Sequence, residues 1–104
     1  MMMIVTGSVV IEGGKLERAL ELSQQHVVRS RAELGCISHW LQIDSENPQR
    51  ICFVEHWADR QALLAHFAVP ASQDFVQALL SLSFSAPIIK IYDANEISIA
   101  DLAS

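Results

Sequence analysis

The side chains of this sequence that can move a proton or hold an ion gather in a short stretch. Glu55-His56-Trp57-Ala58-Asp59 sets a carboxylate, an imidazole and an indole side by side, and His66 follows Trp57 by nine positions. His26 and His39 complete the four histidines. An imidazole titrates near neutrality, so residue type selects His66 as a general base able to take a phenolic proton. The alternative is a hydrogen-bonded structural histidine tying a helix to a sheet. Glu55 shares a strand face with Trp57 by the period of two. It is either a base in a pocket or the partner of a cation such as Arg31, because carboxylates are seldom buried unpaired. Trp57 either stacks on a flat substrate or fills the core, since an indole buries a large area wherever it lands.

His39 and His56 are cross-strand neighbours if Asp44 pairs with about Arg50, but a slip of one residue moves either to the opposite face. His39 is a candidate substrate contact, and His56 belongs to solvent or to an interface. The histidines lack the close helical spacing of metalloprotease motifs, although cross-strand pairing can bring two together. Cys36 and Cys52 are too few for a disulfide framework or a thiolate zinc site, so they read as free, half-buried thiols, and no metal is expected. Phe53, Phe75 and Tyr92, with Trp40, Phe67 and Phe84, offer an aromatic lining for a small flat ligand, and Tyr92 alone adds a hydroxyl that can orient it. The alternative makes these rings ordinary core. Gly13-Gly14 is followed by no third spaced glycine, and neither a phosphate loop nor a Gly-x-Ser-x-Gly elbow is present. No nucleotide, flavin or haem is expected.

These residues need elements to position them. Met3 to Glu12 alternates β-branched residues on two faces and predicts a strand. Gly13-Gly14 breaks it. Lys15 to about Ala32 carries Leu16, Leu20, Ser23 and Val27 at helical spacing, with Glu17, Arg18, Glu21, Gln25 and Arg29 on the reverse side. Gly35 ends this helix, and Cys36 to Asp44 alternates as a second strand. Ser45-Glu46-Asn47-Pro48 is turn chemistry, and Arg50 to Trp57 resumes the β pattern, which predicts an antiparallel hairpin. Asp59 caps a short helix to about Phe67. Pro70 opens another, with Phe75, Leu79 and Leu82 in its apolar stripe, and Pro87 closes it. Ala86 to Asp93 predicts the last strand. The order strand, helix, strand, strand, helix, strand is the split βαβ arrangement of an α+β, ferredoxin-like fold: a four-stranded antiparallel sheet with helices on one face.

With 104 residues the chain fits one domain, with a core over about 3–93 and a tail over 94–104. A net charge of -5 argues against a nucleic-acid partner, whose phosphates need clustered bases. No apolar run approaches the ~20 residues that span a bilayer, and Met1 to Gly7 lacks the features of a signal peptide, so a cytoplasmic location without membrane contact is expected. Hydrophobic residues are 51% of the chain and charged ones 18%, a surplus that so small a domain cannot bury alone. The bare sheet face is expected to be apolar and to meet its copy in a homodimer.

Arg31 to Cys36 (RAELGC) ahead of strand two, then the Glu55-x-Trp57-x-Asp59 pattern, Ala62-Leu63 and His66, resemble the antibiotic biosynthesis monooxygenase-like domains, from Ile4 to Tyr92. The resemblance implies a dimeric α+β barrel, two ferredoxin-like sheets face to face, with a pocket in each subunit between sheet and helices. It implies a cofactor-independent monooxygenase that oxidises a quinol, phenol or polyketide-like aromatic with O2. His66 is then the base, Glu55 and Trp57 complete the catalytic set, and Trp57 and Phe75 wall the pocket. Such families also include haem-binding and haem-degrading members and an isomerase of a small phosphorylated carbonyl compound. The haem enzymes use an Asn on the first strand, where this chain has Thr6 and Ser8, and a phosphate would want more convergent bases than Arg50, Arg60 and Lys90. A non-catalytic dimeric binding domain is the alternative from another class.

Overall fold

The computed structural model describes residues 1–104. The elements run β1 (Met2–Val10), α1 (Leu16–Arg31), β2 (Cys36–Asp44), β3 (Asn47–Trp57), α2 (Arg60–Ala68), α3 (Pro70–Ser81), β4 (Ile88–Ala94) and α4 (Ile99–Ala103). The strands form one antiparallel sheet in the order β2-β3-β1-β4. This is the expected α+β, ferredoxin-like architecture, with α1, α2 and α3 packed over one face. No helix is long and apolar enough to cross a membrane.

Alternation decides which side chains meet the helices. Val5, Gly7 and Val9 of β1 lie opposite Glu55, Phe53 and Ile51 of β3, and Glu55 and Phe53 in turn face His39 and Leu41 of β2. Two hydrophobic clusters result. Val9, Ile11, Ala19, Ile51 and Leu79 form one, and Met3, Val5, Trp57 and Leu63 the other. Gly7 sits between Val5 and Val9 on the same face and brings no side chain, so space stays open over the middle of the sheet.

Three expectations are corrected. The β2–β3 turn is only Ser45-Glu46, with Asn47 and Pro48 already in β3, so Asp44 pairs with Asn47 and not with Arg50. The Asp44 carboxylate makes so tight a turn by accepting from the Glu46 N–H at 2.9 Å, and Arg50 reaches back to it at 2.8 Å. His56 therefore pairs with Ser38, while His39 pairs with Glu55, and the two histidines are on opposite faces. Secondly, the buried stripe of α1 is Ala19, Ser23, His26, Val27 and Ser30, displaced toward His26 from the one predicted. Thirdly, the tail carries α4, opened by a reciprocal Ser98–Asp101 capping box. The outer sheet face is mixed in character, with Ile4, Trp40, Val54, Ile88 and Tyr92 among Thr6, Ser8, His56 and Lys90.

Asp59 caps α2 as expected, accepting from the Ala62 N–H at 2.9 Å. The capped turn is pressed against Gly35, whose carbonyl accepts from the Ala58 N–H at 2.8 Å. Gly35 has φ +84, and a Cβ there would run into the Cβ of Ala62. Gly35→Ala combines a left-handed backbone with a steric overlap and should cost about 2–4 kcal/mol, read as a fall in the urea midpoint at unchanged slope. A loss below about 0.5 kcal/mol would mean that this contact does not constrain the fold.

Candidate active site

A cavity of about 440 Å3 opens between the sheet and the helices. Val5, Val9, Phe53, Phe67, Phe75, Val76, Leu79, Leu80 and Ile89 make its walls apolar, and His26, His39, Glu55 and His66 form its polar end. These four come from α1, β2, β3 and α2. They are almost wholly withdrawn from solvent, at 5%, 1%, 9% and 3% exposure respectively.

Local structure aims each of them. His39 points inward by strand alternation, on the same face as its cross-strand partner Glu55, and Arg31 Nε donates to its carbonyl at 2.8 Å. Glu55 shares that face. Its Oε1 accepts from Trp57 Nε1 at 2.9 Å, and lies 3.6 Å from His39 Nε2 and 3.7 Å from His66 Nε2. His66 is brought in by the capped first turn of α2, and its Nδ1 donates to Glu33 Oε1 at 3.0 Å. A carboxylate can only accept, so Nδ1 carries a proton, and in the neutral ring Nε2 is the nitrogen with the lone pair. Trp57 lies against the ring of His66 at 4.5 Å between centroids. His26 stacks on Phe75 at 4.1 Å with an interplanar angle of 10°. Arg29 Nη2 donates to His26 Nδ1 at 3.2 Å, which leaves the His26 proton on Nε2. Neither ring nitrogen of His39 has a hydrogen-bond partner.

Burial dominates the electrostatics. It pushes His26 down from 6.5 to about 3, helped by His39, His66 and Arg29, and His39 down from 6.5 to about 4, helped by His66 and Arg31. Burial also raises the Glu55 carboxyl above its ordinary range, against the opposing hydrogen bond from Trp57. At neutral pH His26 and His39 are thus uncharged.

His66, Glu55, His39, Phe53 and Phe75 therefore line one cavity together, as the sequence suggests, and two further candidates do not line it. Trp57 is fully buried behind His66 and Glu55 and lines no part of the cavity, because its indole N–H is turned onto Glu55. Tyr92 pairs with Ile4 on the outer face, where it is half-exposed, while Ile89 holds the cavity side of β4. Arg31 does not pair with Glu55. His26 and Glu33 escaped the sequence reading. His26 lies three residues from Ser23 and four from Ser30 on the buried stripe of α1, a spacing that could have revealed it; nothing local marks Glu33.

The family model described as antibiotic biosynthesis monooxygenase matches residues 2–78. The chain belongs to that family. An uncharacterized protein of Synechocystis sp. is 34% identical over 93 residues, which is 89% of this chain and 63% of that protein, so the chain spans less than two thirds of its relative. Among solved structures, a conserved protein from Methanosarcina mazei superposes with a TM-score of 0.86 at 20% identity, covering 90% of this chain and 93% of that one. SnoaB, a cofactor-independent oxygenase from Streptomyces nogalater, gives a TM-score of 0.81 at 14% identity, covering 92% and 95%. At these identities the likeness is one of fold. The antibiotic biosynthesis monooxygenase fold here carries a site of three buried histidines and a carboxylate.

The two lowered histidines make stability fall as the pH falls, against a smaller opposing contribution from the single raised Glu55 carboxyl. Between their folded values and 6.5 the unfolded chain binds protons that the folded one refuses, so stability is complete above about 6.5 and falls as pH drops toward 4. Each ring contributes a slope of up to about 1.4 kcal/mol per pH unit in that window. Urea melts from pH 7.5 to 4.5 should show the decline, and His39→Gln should flatten it. An equally steep decline in that variant would assign the effect to other groups.

Proposed function

We propose that this chain is a monooxygenase that oxidises a small aromatic quinol, phenol or polyketide-like substrate with O2 and needs no bound cofactor. The observation that carries this reading is the Glu33–His66 pair at 3.0 Å, which leaves an imidazole lone pair at the polar end of an apolar cavity. A flat ring lies in the apolar cavity beside Phe53 and Phe75, which themselves meet edge to face at 6.2 Å between centroids, with its hydroxyl directed at His66 Nε2. His66 takes the phenolic proton, and Glu33 holds the resulting imidazolium in place. The electron-rich anion passes one electron to O2, the radical and superoxide combine at the ring carbon, His66 returns its proton to the peroxide, and loss of water, which takes the hydrogen of that carbon, gives the quinone and restores the base. One phenol and one O2 become one quinone and one water.

The protein contributes the base, the exclusion of water and the orientation of the ring. Glu55 stabilises the charged His66 by its proximity, Trp57 holds Glu55 and His66 in place from behind, and His39 and His26 face the oxygen side of the ring. Trp57 is thus a positioning residue in this reading. No Lys or Arg lines the cavity, so a phosphorylated substrate would find no counter-charge there.

The proposed assembly is a homodimer through the outer sheet face. Half-exposed Trp40 and Tyr92 and exposed Ile88 on that face, with Phe84, Ile97, Ile99 and Leu102 near it in sequence, support the pairing. A stable interface should bury about 2,000 Å2 or more. Sedimentation should give a species of twice 11.5 kDa at micromolar concentration, and a stable monomer would overturn the dimer.

His66→Ala should lower kcat on a naphthol or quinol by on the order of 10²–10⁴ while KM changes much less. The melting temperature, measured on the same sample, separates loss of a base from loss of fold. Unchanged kcat in a folded His66→Ala protein would remove His66 from the chemistry.

A further inference from the structure

We propose that His26, His39 and His66 form a binding site for a borderline divalent transition-metal ion of the Zn2+ type, with its fourth coordination position open to the cavity. One ring nitrogen from each of the three residues lies within 4.8 Å of the others, and all three residues are buried. A tetrahedral ion with metal–nitrogen bonds of 2.0–2.1 Å holds its ligand atoms about 3.3 Å apart, so the rings must close by on the order of 1 Å. Rotation of the side chains supplies that, since each ring comes from a different element.

A second observation points to a ligand independently. His39 is fully buried, and neither of its ring nitrogens finds a partner. A buried polar group left without a partner costs about 1–3 kcal/mol, and a metal–nitrogen bond would supply one. The outer shell is also in place. Glu33 accepts from His66 Nδ1 at 3.0 Å and directs Nε2 inward, the carboxylate–histidine arrangement that metal sites use. The Glu55 carboxyl stands 3.6 and 3.7 Å from His39 and His66 and supplies negative charge beside the ion. Three imidazoles without a thiolate suit zinc, cobalt, nickel, copper or iron in preference to calcium or magnesium.

Arg29 opposes the ion. Its Nη2 donates both to His26 Nδ1 and to the Ala71 carbonyl, each at 3.2 Å. Coordination through either His26 nitrogen ends the first contact, and Arg29 keeps the second. An ion on His66 Nε2 also occupies the lone pair that proton transfer would use, so the metal-loaded and base-active forms of His66 are alternatives. The metal site does not rest on the oxygenase reading, because metal uptake is measured without turnover.

The test titrates Co2+ into tag-free, chelator-treated and dialysed protein at neutral pH. The expected result is saturable uptake of one ion per chain, with the intense visible absorption of four- or five-coordinate cobalt, abolished by Zn2+. His39→Gln and His26→Gln, checked for folding by circular dichroism, should each weaken binding by more than the 10–100-fold that loss of even an outer-shell partner costs. His56→Gln on the outer face should leave it unchanged. Arg29→Gln removes the opposing charge and should tighten it. The proposal is overturned if the wild type shows only the weak spectrum of hydrated cobalt, or if a folded His26→Gln or His39→Gln protein binds as tightly as the wild type. It is equally overturned if Arg29→Gln leaves the affinity unchanged, since His26 then takes no part.

Discussion

The site depends on the register that sets His39 opposite Glu55 across the β2–β3 hairpin. Side chains alternate along a strand, so a slip of β2 by one residue would turn His39 outward and put a neighbour such as Trp40 in its place. The two-residue turn closed by Asp44 and Arg50 fixes that register from the far end of the hairpin. At the near end Trp57 secures it by burying its ring and giving its N–H to Glu55. A surface turn and a buried indole thus govern the same polar cluster from opposite ends.

The cluster is held in a state that water would not favour. Desolvation keeps His26 and His39 uncharged and makes the Glu55 carboxyl harder to ionise. Trp57 relieves only Glu55, and Glu33 only His66. His39 has no hydrogen-bond partner within the protein, which is unusual for a buried imidazole. Structural histidines in a small domain are ordinarily satisfied by the protein itself, so the arrangement costs stability.

The period-two pattern of Cys36 to Asp44 and the Asp59 cap were legible because each depends on neighbours in sequence. So were the element order and the inward direction of Glu55, His66, Phe53 and Phe75. The misplacements share a different cause. Tyr92 was assigned to the cavity for its hydroxyl, yet its direction follows from pairing with Ile4, which no local pattern states. Of the two readings of Trp57, stacking on substrate or filling the core, the structure realises the second, with its N–H turned onto a carboxylate two residues away. His26 is hidden in a helix whose apolar spacing runs through its leucines. Local spacing reveals a helical pair of ligands; it cannot reveal three rings that meet only after folding.

β1 lies inside the sheet, between β3 and β4, and its pairing with β4 runs from Met2 opposite Ala94 to Ser8 opposite Ile88. Nearly the whole chain separates these partners, so closing that ladder carries the largest loop-closure entropy of any contact in the molecule. The β2–β3 hairpin can form within microseconds, whereas β4 must wait for a long-range encounter, which makes its docking the natural slow step of folding. Until it docks, one edge of β1 with its valines and isoleucine stands unpaired, and the cavity lacks the wall that Ile89 provides. Folding intermediates would therefore be adhesive along β1, and the binding pocket would be among the last features of the molecule to exist.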